Sequence, residues 1–372
     1  AAFAFEVDAK KRSTKKQLIE QLQSADPTGE EILSIVASID SQRIITPQNS
    51  DFVDLLQLLF FGNRHQSLTE FVLDDMGVLQ YFPYEVDRNH RQFSNRDAVN
   101  EYLACALLTD EYYQLIEEER RDDLPELAER VLGFTASHSS SIKSLHRLYN
   151  RLARDLERSE QFDLATALYT KSARHPARER RARILERTGQ WLPAQALCQD
   201  ILEEPWCEAE MEAAQKILQR VKRKLGGDRV ARMRDNFPQL KLELPQEEDA
   251  VELLAATALE QSWSAVHYVE NNLFNALFGL AFWEQIFQPA PGAFSHAFQS
   301  APLDMYDRDF RRQRAASIEK RFHELRRASL PEVLGNAYQR FFPCQCHWVN
   351  WRAIDIELVT SACNIIPSSH LV

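Results

Sequence analysis

A mainly α-helical protein of several packed units is what this chain predicts, on three observations. Its 372 residues are 44% apolar and 27% charged, which is material for sizeable cores in roughly two to four units. It has ten glycines, less than half of an average usage of about 7%. Its apolar residues are mostly Leu, Ala and Phe rather than Val and Ile, which argues against turn-rich β-sandwiches and barrels. No stretch approaches the roughly 20 uninterrupted apolar residues of a bilayer span. The start AAFAFEVDAKKRSTKK lacks an initiator Met, an apolar leader core and a cleavage site, so a soluble, intracellular, cut fragment with no membrane partner is expected.

Residues 10–40 predict two short helices, KKRSTKKQLIEQLQ and GEEILSIVASI, hinged where Asp26, Pro27 and Gly29 disfavour continuation. The first opens on the cations Lys10, Lys11, Arg12, Lys15 and Lys16, which oppose the helix dipole; an external anion as partner explains them, and so does a solubilising end. DFVDLLQLLFFG predicts a buried helix stopped by Gly62. Around Tyr81 to Phe93, Pro83 and alternating aromatics predict extended chain, and Asn95 is placed to cap the next helix. Residues 140–225 predict a helical array broken at His175-Pro176, Gly189 and Pro205. Its small residues Ala165, Ala167, Ala194 and Ala196 resemble tetratricopeptide-like packing. A polar linker is expected over Asn236 to Asp249, then a long helical pattern from Val251 to Phe287 broken near Val269 to Asn272. Residues 301–323 predict a turn leading into an arginine-rich helix, and HWVNWRAIDIEL (347–358) has the aromatic and β-branched content of a strand.

The net charge of −11 argues against a polyanion partner, but its distribution does not. Segment 10–16 holds five cations and no acid, 171–187 seven against two, 216–234 eight against one, and 308–327 eight against three. Cations that neutralise phosphates release counterions, so such islands suit a nucleic-acid backbone; solvated helix faces produce them too. Arginines outnumber lysines 33 to 11, and the guanidinium fork suits bidentate phosphate contact. Arg174, Arg178 and Arg181 are expected on one helical face with Arg180, Arg183 and Arg187 beside it, and Lys216, Arg220 and Lys224 align four apart.

Six scattered cysteines are expected to be reduced. Cys344-Gln-Cys346-His347 offers soft ligands to zinc, or thiols packed beside Phe341, Phe342 and Trp348. Glu270 is expected among Trp263, Tyr268, Leu273, Phe274 and Phe278, where a carboxylate must be paired, hydrogen-bonded, capping a helix or bound to metal.

Three blocks in order carry a resemblance. They are FPYEVDRNHRQFSNRDAVNEYLACALLTD (82–110), Tyr268-Val269-Glu270 with LFNALFGLAFWEQIF (273–287), and Ala301-Pro302-Leu303-Asp304 with Phe310, Arg314, Ile318, Glu319 and Arg321. They are similar to the segments of the Fanconi-anaemia-associated nuclease family, whose members carry a virus-type replication-repair nuclease (VRR-NUC) domain. The resemblance implies a bacterial, cytoplasmic member. It implies a SAP-like element over 1–45, the rest of a winged-helix-like DNA-binding part over 46–135, and tetratricopeptide-like repeats over 136–240. It further implies the front of a restriction-endonuclease-like α/β nuclease domain over 245–372. The activity implied is 5′-flap endonuclease and 5′–3′ exonuclease action on branched DNA in interstrand-crosslink repair, with water activated on Mg²⁺ or Mn²⁺, hard ions suited to oxygen ligands.

The family's later P-D-x(n)-E-x-K segment is absent from these 372 residues, and Glu319-Lys320 has no Pro-Asp upstream to replace it. Only Glu270 carries over as a metal-binding, catalytic carboxylate, so the fragment alone is expected to be inactive. Expected phosphate contacts are the five N-terminal cations, Arg178, Arg181 and Arg183 on the array, and Lys222 and Lys224. A non-enzymatic helical-repeat scaffold for protein partners explains the repeats equally well. A sequence-specific transcription factor would need a recognition helix that nothing here supplies.

Overall fold

The computed structural model describes residues 24–26, 29–39, 49–64, 69–227, 239–245 and 250–372. Two compact units divide the chain, Ala1–Leu58 and Leu59–Val372. The mainly α expectation holds: among the described residues there is no strand, only an isolated bridge between Cys346 and Val349. The cations Lys10 to Lys16 lie outside the described residues, as does most of the expected linker.

In the first unit, helix α1 (Glu30–Ile39) is entered through Asp26, whose carboxylate accepts from the Gly29 and Ile32 amides at 3.0 and 2.8 Å. Helix α2 (Ser50–Phe61) ends at Gly62 as its sequence predicts. A Cβ there would collide with Gln92 and Ser295, and φ is +70°. The expected burial of α2 is corrected. Apolar residues stand all round this helix, so one face cannot cover them; Leu58 and Phe61 are buried, but Phe52, Val53, Leu56 and Leu59 are exposed.

The second unit continues through α3 (Thr69–Asp75), the extended segment around Pro83, and α4 (Arg96–Glu117), which Asn95 caps by accepting from the Ala98 amide at 2.8 Å. Next come α5 (Leu124–Gly133), α6 (Ser139–Arg158), α7 (Phe162–Lys171), α8 (Ala177–Arg187), α9 (Trp191–Glu203) and α10 (Glu208–Lys224). Helices α4 to α8 share one core built around Leu127, Leu148, Leu152, Leu156 and Leu168. A second core, with Ala194, Cys198, Ile201 and Ile217, joins α8, α9 and α10. Ala165 and Ala194 are fully buried between helices, Ala167 partly, and Ala196 is exposed.

The remaining helices are α11 (Val251–Glu260), α12 (Asn272–Ala281), α13 (Trp283–Ile286), α14 (Arg308–Gln313), α15 (Ala315–Arg327), α16 (Leu330–Phe341), α17 (Ile356–Ile365) and α18 (Ser368–Leu371). The helix break near Val269 is wider than expected, spanning residues 261–271. The predicted strand at 347–358 is also corrected: it forms no strand, and Asp355 accepts from the Leu358 amide at 2.7 Å, capping α17, which takes the segment's last three residues. Trp283, Phe287, Phe294 and Phe341 build the core of this region, with Trp283 stacked on Phe341 at 4.5 Å. Gly279 lets α12 press on Val349, where an added Cβ would lie 2.7 Å from a methyl group.

The extended block at 82–84 enters the same core. Phe82 packs against Trp283, Phe287 and Phe341, and the Tyr84 hydroxyl donates to the His296 carbonyl at 2.9 Å while accepting from the Gln299 amide at 2.8 Å. Burial pushes His296, set among Phe60, Phe61 and Phe298, down to about 4, so it packs as a neutral ring.

Glu101 fixes the turn between α5 and α6. It accepts from the Ser137 amide and hydroxyl and the His138 amide at 2.9, 2.6 and 2.9 Å. Partial burial alone would raise its pKa, but these donors prevail and hold it at about 2 against an ordinary 4.5. A depressed carboxylate stabilises fully above its unfolded value and loses that contribution as the pH falls through its folded one. Glu101→Gln is therefore expected to cost about 1–2 kcal/mol at neutral pH. Urea midpoints of the variant should also lose part of the wild-type decline between pH 4.5 and 2.

Candidate nucleic-acid interface

Helix α8 carries the arginines that the sequence points outward, and the structure engages most of them inside the array. Arg178 forks onto the buried Glu210 of α10 at 2.7 and 3.2 Å and donates to the Glu204 carbonyl at 2.9 Å. Arg180 clasps Glu157 of α6, which also accepts from the Tyr169 hydroxyl at 3.1 Å. Arg181 is half-buried with an Nε that has no partner, and Arg183 pairs with Glu179 one turn back at 2.8 Å. Arg174 is not on this helix, a correction to the expected face: it precedes α8 and pairs with Asp307. Along α10, Lys216 meets Glu212, Arg220 forks onto Glu186, Lys224 lies over Trp191 at 6.0 Å, and Lys222 is exposed.

A further cationic strip lies on α6, outside the basic islands of the sequence. Lys143, Arg147, Arg151, Arg154 and Arg158 recur at spacings of four, four, three and four, opposite the buried Leu145, Leu148, Leu152 and Leu156. The signal was present as that spacing. The lower end is neutralised, Arg154 by Glu157 at 3.3 Å and Arg158 by Asp155 at 3.1 Å. At the upper end Lys143 and Arg174 share Asp307, with Lys143 Nζ at 3.2 Å. Between them Arg147 is exposed and, among the described residues, has no carboxylate in contact, and Arg151 lies over Tyr113 at 5.3 Å. Desolvation along its stem and the Arg174 guanidinium push Arg147 below the ordinary arginine value, with Asp307 opposing. Burial pushes the neighbouring Tyr102 hydroxyl up, while Arg147 and Arg64 pull it back. Arg64, Arg147, Arg151, Lys143 and Arg174 thus surround one patch that holds more positive than negative charge, with Asp110 paired to Arg64 and Asp307 to Lys143 and Arg174.

Glu270 is corrected too. It is exposed, at a left-handed φ of 43°, and accepts from the Tyr268 hydroxyl. Residues 261–271 leave the helix, so the aromatics counted as its apolar shell, Trp263, Tyr268 and Phe274, are themselves more than half exposed. It does not cap α12, whose N-cap is Asn271. Among the described residues no group of three or more His, Cys, Asp or Glu side chains could hold a metal ion, so these residues alone do not fit a divalent-metal centre. Cys346 is buried, and burial pushes its thiol up to about 11, which disfavours the thiolate that zinc requires. The packed-thiol alternative is the one realised.

Fold and site together define a helical-repeat protein with an arginine-lined surface patch, joined to a helical region into whose core the 82–84 block is threaded. No family model matches the chain. It is 34% identical over 365 residues, 96% of its length, to the Fanconi-associated nuclease 1 homolog of Pseudomonas aeruginosa. It is 24% identical over 94% of its length to the homolog of Arabidopsis thaliana. It spans 63% and 44% of those two relatives. Among solved structures, paFAN1 bound to 2nt 5′flap DNA with gap matches all of this chain and 67% of that one, at 31% identity and a TM-score of 0.80. paFAN1 bound to 1nt 5′flap DNA with gap matches 97% of this chain at a TM-score of 0.74. The chain belongs to the Fanconi-associated nuclease 1 family. The resemblance drawn from the three blocks is borne out.

Proposed function

We propose that this chain is the DNA-gripping part of a structure-specific nuclease that acts on branched, 5′-flap DNA. The observation that carries this reading is structural likeness, over all of this chain, to a relative held on 5′-flap DNA, together with the net positive patch around Arg147. In the whole protein the activity would be 5′-flap endonuclease and 5′–3′ exonuclease hydrolysis of phosphodiesters in interstrand-crosslink repair, in the cytoplasm and on the nucleoid when DNA is bound.

Phosphate contacts fall on Arg147 and Arg151, with Lys222 and the cations Lys10 to Lys16 as further candidates. Arg178 is spent on Glu210, while Arg183 and Lys224 reach a phosphate only by leaving Glu179 and Trp191. We assign Glu270 as one ligand of a Mg²⁺ or Mn²⁺ ion on the family resemblance. It stands alone among the described residues, so no catalytic step is derived through that ion.

The test is binding of this chain to labelled 5′-flap, plain duplex and single-stranded DNA at moderate salt, read by fluorescence anisotropy. Preference for the flap, weakening with salt, is expected; equal affinity for all three overturns the proposal. In the full-length protein, Glu270→Ala should keep flap binding and lose metal-dependent cutting.

A further inference from the structure

A cleft of about 650 Å³ opens between the α9–α10 turn and the loop that leads into α14. That size falls in the roughly 300–1,000 Å³ range of small-ligand sites. Its wall on the array side carries Arg174, His175 and Trp206; the opposite side carries Tyr306, Arg308 and Arg311. The guanidinium of Arg308 covers the Trp206 ring at 5.0 Å and donates to Glu204 at 2.7 Å, so that wall is already satisfied.

Two groups are not satisfied. Tyr306 is 69% exposed, and among the described residues no ring or cation lies against it. Arg311 is 81% exposed and, among the described residues, makes a loose ion pair with the exposed Glu319 at 3.7 Å, beyond hydrogen-bond reach. A third, His175 Nδ1, is buried without a partner on the same cleft.

An open aromatic face on the same cleft as an exposed guanidinium with unused donors matches an aromatic base joined to a phosphate. In a duplex both faces of each base are covered by stacking, so only an unpaired nucleotide can present one. We propose that this cleft holds an unpaired nucleotide of the branched DNA, its base stacked on Tyr306 and its phosphate on Arg311. The proposal rests on the DNA-binding function above and adds to it a place for the unpaired arm, next to the Arg147 patch, with which the cleft shares Arg174.

The test uses 5′-flap DNAs with 2-aminopurine placed in turn at each unpaired position, titrated with this chain. Fluorescence should be quenched at one position. Tyr306→Ala should restore it and weaken flap binding about tenfold, a typical stacking loss. Arg311→Ala should weaken flap binding while duplex affinity holds. Flap binding with no quench at any position, or a quench that survives Tyr306→Ala, overturns the cleft and leaves the DNA-binding reading intact. Failure to bind flap DNA at all sinks that reading as well. Both side chains are exposed, so neither variant threatens the fold.

Discussion

Arg314→Met is expected to destabilise the Leu59–Val372 unit by about 3–5 kcal/mol, the usual consequence of leaving a buried charge without its partner. The Arg314 and Asp304 side chains are essentially sealed from solvent, 0% and 1% exposed. The guanidinium reaches the carboxylate at 2.7 and 3.4 Å and the Gln288 carbonyl at 3.2 Å, with Phe310 packed on its face at 4.3 Å. Methionine fills most of the volume but strands Asp304 in a medium where a lone carboxylate is poorly solvated. Urea denaturation should show the midpoint falling steeply in the single variant. Asp304→Leu combined with Arg314→Met should recover the larger part, because two apolar groups need no pairing. A single variant within 1 kcal/mol of wild type would show that water reaches the pair. The loop this pair anchors contains Asp307, so a loosened loop should also release Lys143 and Arg174.

That pair shows which parts of the chain were legible. Asp304, Phe310 and Arg314 are resemblance-bearing residues, and the structure makes them a single packed ion pair, so the motif marks a fold requirement rather than contact with DNA. Arg321 of the same block likewise donates inward, to the Ala281 carbonyl at 2.6 Å. Local physics was readable: Asn95 caps three residues ahead, Gly62 ends α2, and the array breaks where Pro and Gly stand. Non-local pairing was not. Nothing near Arg178 in sequence announces that Glu210, 32 residues on, will bury itself and claim that guanidinium. The apolar setting expected for Glu270 failed for a related reason: Trp263 and Tyr268 turn to solvent once residues 261–271 leave the helix. At 347–358 the aromatic content outweighed a local signal that was present, an Asp at the N-cap three residues before an amide it could accept from.

Arg147→Glu is expected to weaken flap-DNA binding roughly 30-fold near physiological salt, about 2 kcal/mol on a scale of 1.4 per tenfold. The size follows from two changes at once: one phosphate contact is lost, and a like charge is set against the backbone beside Arg151. Lys143 and Arg174 are held by Asp307, so they do not move in to compensate. Arg147→Ala isolates the first change, and it should flatten the plot of log K against log salt by about one. Because Arg147 is exposed and pairs with no carboxylate among the described residues, its variants should melt like wild type. Arg178→Glu should instead unfold the array, since it places a second acid on the buried Glu210. Anisotropy titrations over a salt series, paired with thermal melts, separate the two roles. An Arg147→Glu protein with unaltered affinity and salt slope would move the DNA track off Arg147, whereas lost affinity with an intact melt leaves it on α6.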